Sequence, residues 1–327
     1  MSKVLVTGAS GFIGSHIVEM IAGRDLPVRS LVRRSSNLAF LGQVGTELAF
    51  GDVTDPASLP AALAGVQRVV HCAGLTKALS LDQYREVNRD GTENLMRACC
   101  SMHSRPSRIV VLGSLAAFGP SSSGRPMCEG DEPHPISDYG RSKLEGHRVA
   151  ESFMKELSVS IVIPPAVYGP RDRDIYAYFK FAKYGFVPFL GSQERCLSLV
   201  YVKDLARAAV ECLLREEAAG ESYFVEDGEV HTWKDFAGAI SRTMAKKPAS
   251  VVVPRLLAQA VAVLIDVFSR IIRRPPLLGG QKMCELLQPS WTCSGERIRK
   301  ELGLQIHYPL WKGVEETYRW YVEHHWL

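Results

Sequence analysis

Val4-Leu5-Val6-Thr7-Gly8-Ala9-Ser10-Gly11-Phe12-Ile13-Gly14 is the stretch on which the reading of this chain turns. A short apolar, β-branched run comes first, then glycines in the spacing Gly-x-x-Gly-x-x-Gly, then a helical pattern through Ile17, Val18 and Ile21. Strand, tight turn and helix in that order form the context a phosphate-binding turn requires. One glycine permits the turn, one lets the backbone approach a pyrophosphate, and one lets helix and strand pack closely. The helix N-terminus adds amide donors and partial positive charge. Gly8, Ser10, Gly11, Phe12, Ile13 and Gly14 are therefore expected to hold a dinucleotide. A plain glycine turn is the competing reading, and the position directly after the first strand weighs against it.

Working outward, apolar runs at residues 3–7, 28–32, 68–72, 108–113 and 159–164 alternate with helical stretches. Strands alternating with helices specify an α/β fold, a doubly wound parallel Rossmann sheet covered on both faces. After Gly169-Pro170 the pattern loosens, returning at residues 197–202 and 222–225 before a helix-rich end. The chain is thus read as residues 1–168 and 199–226 in a dinucleotide lobe. Residues 169–198 and 227–327 are read as a smaller, mostly helical C-terminal substrate lobe. Ser121-Ser122-Ser123-Gly124 reads as a loop tip.

Composition agrees with a globular protein: 46% hydrophobic and 23% charged residues in a chain of 327, long enough for two joined lobes. The net charge of +4 is not gathered into a one-sign block, so nucleic acid is not implied. Eight cysteines lack the paired short spacings of a zinc site, and no metal is expected. Free cysteines suit a reducing cytoplasm, and the apolar start is too short for a signal peptide, so a cytoplasmic location is expected.

The second strand runs into Arg33-Arg34-Ser35-Ser36, about twenty residues past the glycine turn, where an acid would hold the ribose hydroxyls of NAD. Here the position is basic. Arg33, with Arg34, can pair with a 2′-phosphate, which favours NADP over NAD as cofactor. Solvated surface charge is the bland alternative. Asp52 and Val53, and then Cys72, Ala73 and Gly74, follow the next two strands, where the adenine and ribose would lie.

Tyr139 and Lys143 stand four residues apart in Tyr139-Gly140-Arg141-Ser142-Lys143 and share a helical face. A phenol is a poor base at neutral pH, and a neighbouring ammonium favours its phenolate. Such a pair arises by chance on many helices. Ser114 makes it more telling, because it follows the apolar run Ile109-Val110-Val111-Leu112-Gly113, where it can donate to the same substrate oxygen.

Thr7–Gly14, Ser114 before Ala116-Ala117-Phe118-Gly119, the Tyr139/Lys143 pair and Pro164-Pro165-Ala166-Val167-Tyr168-Gly169-Pro170 together resemble the extended short-chain dehydrogenase/reductases. That group includes sugar-nucleotide epimerases and bacterial relatives of 3β-hydroxysteroid dehydrogenase. The resemblance continues through Leu199–Ala206 to Glu301-Leu302-Gly303 and Trp320-Tyr321. It implies that Ser114 orients the substrate oxygen, Tyr139 is the acid/base, and Lys143 binds the nicotinamide ribose, with Pro164 and Val167 among the cofactor contacts. It also implies a homodimer and, for Asn88, an architectural place behind the active site. Members that dehydrate sugar nucleotides carry an acidic pair after the serine. This chain has Leu115-Ala116, which argues against dehydration. Epimerases carry an Arg-Asp-Phe element where this chain has Leu197-Ser198-Leu199, and Arg195 is out of register by two residues.

Tyr176, Tyr178, Phe179, Phe181, Tyr184, Phe186 and Phe189 crowd one segment, open equally to an apolar substrate wall and to packing. Residues 256–272 form an apolar helix with one polar stripe of Arg255, Gln259, Asp266, Arg270 and Arg273. Burial in the small lobe is expected over its rival, peripheral contact with a membrane surface. The expected function is an NADP(H)-dependent oxidoreductase interconverting hydroxyl and ketone on a lipophilic small molecule, sterol-like or long-chain. The alternative is an NAD-dependent sugar-nucleotide epimerase. A non-catalytic scaffold is disfavoured because both Tyr139 and Lys143 are kept.

Overall fold

The computed structural model describes residues 2–121, 124–191, 193–276 and 278–327, so Ser122 and Ser123 of the expected loop tip lie outside it. From the N-terminus come β1 (Val4–Thr7), α1 (Phe12–Ala22), β2 (Val28–Val32), β3 (Glu47–Phe50), α2 (Leu59–Leu63) and β4 (Arg68–His71). Next are α3 (Leu81–Arg85), α4 (Gly91–Ser101), β5 (Arg108–Leu112), α5 (Asp138–Ser152), β6 (Val159–Ile163) and β7 (Ala166–Tyr168). A π-helical turn, Glu86–Asp90, joins α3 to α4.

Seven strands form one parallel sheet in the order β11-β6-β5-β4-β1-β2-β3, with β11 spanning Ser222–Phe224. Strand order reverses between β1 and β4, which opens a crevice at their carboxyl ends. The strands β1, β2, β5 and β6 are buried throughout, as expected for strands covered on both faces. Ile17, Val18 and Ile21 of α1 pack one face of the sheet. Leu59 and Leu63 of α2, Leu95 and Met96 of α4 and Leu144 of α5 pack the other.

The second half adds α6 (Tyr176–Lys183), β8 (Phe186–Leu190), β9 (Cys196–Leu197), β10 (Leu199–Tyr201) and α7 (Val202–Leu214). After β11 come β12 (His231–Thr232), α8 (Trp233–Thr243), β13 (Ala249–Val253), α9 (Arg255–Ile272) and α10 (Gly280–Leu286). The chain closes with β14 (Ser290–Trp291), α11 (Glu296–Leu302) and α12 (Leu310–Glu323). The strand expected at residues 197–202 is split at Ser198, whose hydroxyl exchanges hydrogen bonds with the backbone of Cys293. As a result β9 joins β12 and β14 in one small sheet, while β10 pairs with β7. Trp233 to Thr243 start cleanly because Thr232 and Asp235 form a reciprocal capping box.

Most of the crowded aromatics are packing. Phe179 is fully buried, Tyr176 meets Tyr321 and Trp326, and Tyr178 stacks on Trp233 at 5.2 Å. Tyr178 and Phe189 also line a cavity of about 190 Å³ with Trp233, Arg195, Val252 and Leu286.

One expectation is overturned. The helix α9 is not buried: Leu256 is 80% exposed, Ile271 73% and Leu264 68%. Only its small residues Ala258, Ala262 and Ser269 are buried, because they let the helix sit close on α10 and β13, while the large apolar side chains, half-buried Ile265 excepted, turn outward. The helix ends with Arg273 in the left-handed region, φ 52°.

Candidate functional site

The glycine turn sits at the reversal of strand order. Gly8 has φ +65°, and a Cβ there would lie 2.6 Å from the Ala73 amide nitrogen, so turn and β4 approach too closely for a side chain. Its carbonyl accepts from the Gly11 N–H at 3.0 Å. α1 starts after Gly11 with no side-chain cap, which leaves first-turn amides of Phe12 and Ile13 free to meet an anion. Ser10, Gly11 and Gly14 complete this cradle. The donor set fits the pyrophosphate of a dinucleotide.

A buried chain of hydrogen bonds fixes the far wall. The Ala73 N–H donates to Thr7 Oγ1 at 3.1 Å, and Thr7 Oγ1 lies 2.8 Å from His71 Nδ1. His71 Nε2 lies 3.0 Å from Thr92 Oγ1, which itself donates to the Asn88 carbonyl. Since the Thr92 proton is committed to Asn88, His71 must donate from Nε2 and accept at Nδ1 from Thr7. The imidazole is neutral, and burial followed by the Lys143 charge pushes its pKa down to about 3. No local motif marks His71 for this role.

Asn88, on the π-turn, clamps the same wall. Its Oδ1 accepts from Leu75 N–H at 2.7 Å, and its Nδ2 donates to the Leu75 carbonyl and to Ser142 Oγ. Ser142 lies beside Lys143, so Asn88 ties the segment after β4 to α5.

Ser114, Tyr139 and Lys143 converge at the end of β5. The Tyr139 phenol faces Ser114, whose hydroxyl favours the ionised phenol, and Ser114 Oγ accepts from the Ala116 N–H at 3.2 Å. Lys143 Nζ donates to the Leu112 carbonyl at 2.7 Å, leaving two protons for other partners. α5 reaches this turn because Gly140 has no side chain; a Cβ there would lie 2.3 Å from the Ala116 carbonyl oxygen. Ser137 caps α5 by accepting from Gly140 N–H, and its own hydroxyl donates to the buried Glu285 carboxylate of α10.

The electrostatics differ from the expected ammonium-assisted phenolate. Burial pushes Tyr139 up to about 12, and the Ser114 hydroxyl opposes without overcoming it. Burial brings Lys143 down to about 8 and raises the Cys72 thiol to about 12. Desolvation outweighs pairwise attraction here, so Tyr139 carries its proton at neutral pH and can act as an acid. Tyr84, its ring 6.0 Å from that of Tyr139, and Glu285 also face this centre, and no local motif had marked either.

The other expected contacts divide. Arg33 and Arg34 are exposed at the end of β2, Arg34 over the Phe50 ring at 5.6 Å, and neither forms an ion pair among the described residues. Asp52 bonds its own turn at Thr54, while Val53 is 4% exposed and its carbonyl accepts from Asn94. Pro164 accepts from the Leu115 N–H at 2.8 Å, and Val167 pairs with Val200 between β7 and β10. Arg195 is nearly buried and spends Nη1 on the carbonyls of Leu190 and Gln193 in its own loop. Among the described residues no cluster of metal-binding side chains occurs.

The chain is similar to the ceramide reductase of Caulobacter vibrioides, 29% identical over 99% of this chain and 96% of that one. It is also similar to sterol demethylase protein B of Methylococcus capsulatus, 30% identical over 92% of each chain. The crystal structure of gox2253 superposes with a TM-score of 0.82, 27% identity and 99% coverage of both chains. Residues 4–225, from β1 through the end of β11, match the family whose fold and glycine turn they build. This chain belongs to the NAD dependent epimerase/dehydratase family, as an NAD(P)-dependent enzyme of the short-chain dehydrogenase/reductase type.

Proposed function

We propose that this protein is an NADP(H)-dependent oxidoreductase that interconverts a ketone and a hydroxyl on a lipophilic substrate. The observation that carries the reading is the meeting of Ser114, Tyr139 and Lys143 at the end of β5, beside the glycine turn. A nicotinamide dinucleotide supplies or accepts the hydride. In the reducing direction Tyr139 Oη gives its proton to the carbonyl oxygen, which Ser114 Oγ also meets as a donor. Lys143, anchored on Leu112, offers its remaining protons to the ribose and places a charge near the phenol. Arg33 and Arg34, without a carboxylate partner among the described residues, suit a 2′-phosphate. The similarity to a ceramide reductase and to a sterol demethylase protein supports a lipophilic substrate. The neutral setting of Arg195, held by its own loop, gives the epimerase reading less to stand on.

The test is Tyr139→Phe. Cofactor affinity should stay within about twofold, while reduction of long-chain oxo compounds falls roughly 10²- to 10⁴-fold, the usual size of a lost proton donor. Turnover equal to that of the unaltered protein removes Tyr139 from the chemistry. Release of a 4-epimer from a sugar nucleotide, with no net NADPH consumption, replaces this reading with epimerisation.

A further inference from the structure

We infer that α9 docks the protein in the plane of an anionic membrane surface. At 1.5 Å per residue its 18 residues span about 27 Å, and no helix among the described residues is long and apolar enough to cross a membrane. With successive residues 100° apart, Leu256, Leu257, Leu264, Val267, Phe268 and Ile271 fall within an arc of about 120°. All six are more than half exposed. The seat of the helix, Ala258, Ala262 and Ser269, lies on the opposite side, so the apolar arc points straight out from the protein. Isolated exposed leucines are ordinary, but a continuous apolar face of this length on a folded surface marks an interaction site.

Charge selects the occupant. Arg255 opens the helix, Arg270 lies in its last turn, and Arg273 and Arg274 follow it; none has an ion-pair partner among the described residues. The lone acid of the helix, Asp266, already accepts from the Gly280 N–H at 2.9 Å. Two copies meeting through this face would bring arginines together with no carboxylate between them. A layer of anionic headgroups over acyl chains supplies both the countercharge and the apolar phase that the arc and its rim require.

The helix is also placed to matter. Val251 and Val252 of β13, directly before it, are exposed on the approach, and Val252 lines the 190 Å³ cavity together with Leu286 of α10. Asp266 holds the start of α10, and Glu285 of α10 holds the Ser137 cap of the helix that carries Tyr139. A bilayer gripped by α9 therefore lies next to the small lobe's cavity and one helix away from the catalytic candidates.

The experiment is sedimentation of the full chain with vesicles of phosphatidylcholine alone or with phosphatidylglycerol, which reads binding without reference to any reaction. Binding is expected with phosphatidylglycerol. Leu264→Glu with Phe268→Glu, both on the solvent face, should weaken it at least tenfold with an unchanged circular-dichroism spectrum. Replacing Arg273 and Arg274 with serine should weaken it roughly fivefold per residue. No sedimentation overturns the inference, and so does sedimentation that salt abolishes but the two glutamates leave intact. A dimer that these glutamates split, with no vesicle binding, assigns the face to a second copy instead. Failure here leaves the Tyr139→Phe test standing, and the reverse also holds.

Discussion

His71 shows what a single side chain must do when both its neighbours are already committed. Protonation would put a donor at Nδ1 opposite the Thr7 hydroxyl, whose oxygen already accepts from Ala73. The folded protein holds the imidazole near pKa 3 against an ordinary 6.5, so the unfolded chain takes up a proton first. The neutral-His contribution is complete above pH 6.5 and is lost as pH falls from there toward 3. Urea unfolding at pH 7 and pH 4.5 should show that loss in the unaltered protein, while His71→Gln, weaker at pH 7, should show a flatter dependence. Arg33 and Arg34 carry a second prediction. Replacing both with serine should raise the KM for NADPH roughly ten- to a hundredfold, the range for lost charge-assisted hydrogen bonds, and leave NADH little changed. Equal effects on the two cofactors would dismiss the phosphate role. Tyr139 and Lys143 were readable because helical spacing is local. The role of His71 was not, since its partners lie 64 and 21 residues away in sequence.

α5 is a helix shaped by what it must touch. Gly140 stands between the Ser114 turn and Tyr139, and adding a methyl there drives it into the Ala116 carbonyl at 2.3 Å. Gly140→Ala should destabilise by about 1–3 kcal/mol and cut turnover by moving Tyr139, as overpacking of a close contact does. Gly238→Ala in α8 is the matched control. Nothing lies within 4 Å of its added Cβ, so helix propensity alone operates and thermal stability should rise by about 0.5–1 kcal/mol. Thermal unfolding of the two variants separates contact from propensity. The strands β1, β5 and β6 were legible because burial on both faces leaves largely apolar runs, the exposed edge strand β3 leaves none, and α9 was misread because an apolar helix looks the same whether it faces a core or a surface. What distinguishes them, the smallness of Ala258, Ala262 and Ser269 on one side, becomes meaningful only when the neighbours are known.

Across the whole molecule, α1 and the loop after β7 are clasped together. Glu19 is bonded to Arg171, Arg171 also donates to Ser15, and His16 Nε2 donates to the Pro170 carbonyl at 3.0 Å. Burial alone would raise the Glu19 carboxyl, but hydrogen bonds from His16 and Arg171 hold it at about 2. Because the folded pKa lies below the ordinary 4.5, this clasp stabilises fully above pH 4.5 and is lost as pH falls from there through 2. In Arg171→Ala the Glu19 resonance should titrate near or above 4.5 by NMR; a carboxyl still near 2 would show that Arg171 contributes little. The sequence pattern did not show that residues far along the chain return to the first sheet. Ile298 and Leu302 of α11, with Leu304 after it, are buried in the same cluster as Ile17 and Val18.

That return has a consequence for biosynthesis. The sheet's inner layer lacks three of its apolar partners until the ribosome has passed residue 304, so the early sheet emerges with a bare patch that only these later residues cover. At about 5–20 residues per second that wait lasts several seconds or more, and a nascent chain holding such a patch is a natural client for a chaperone.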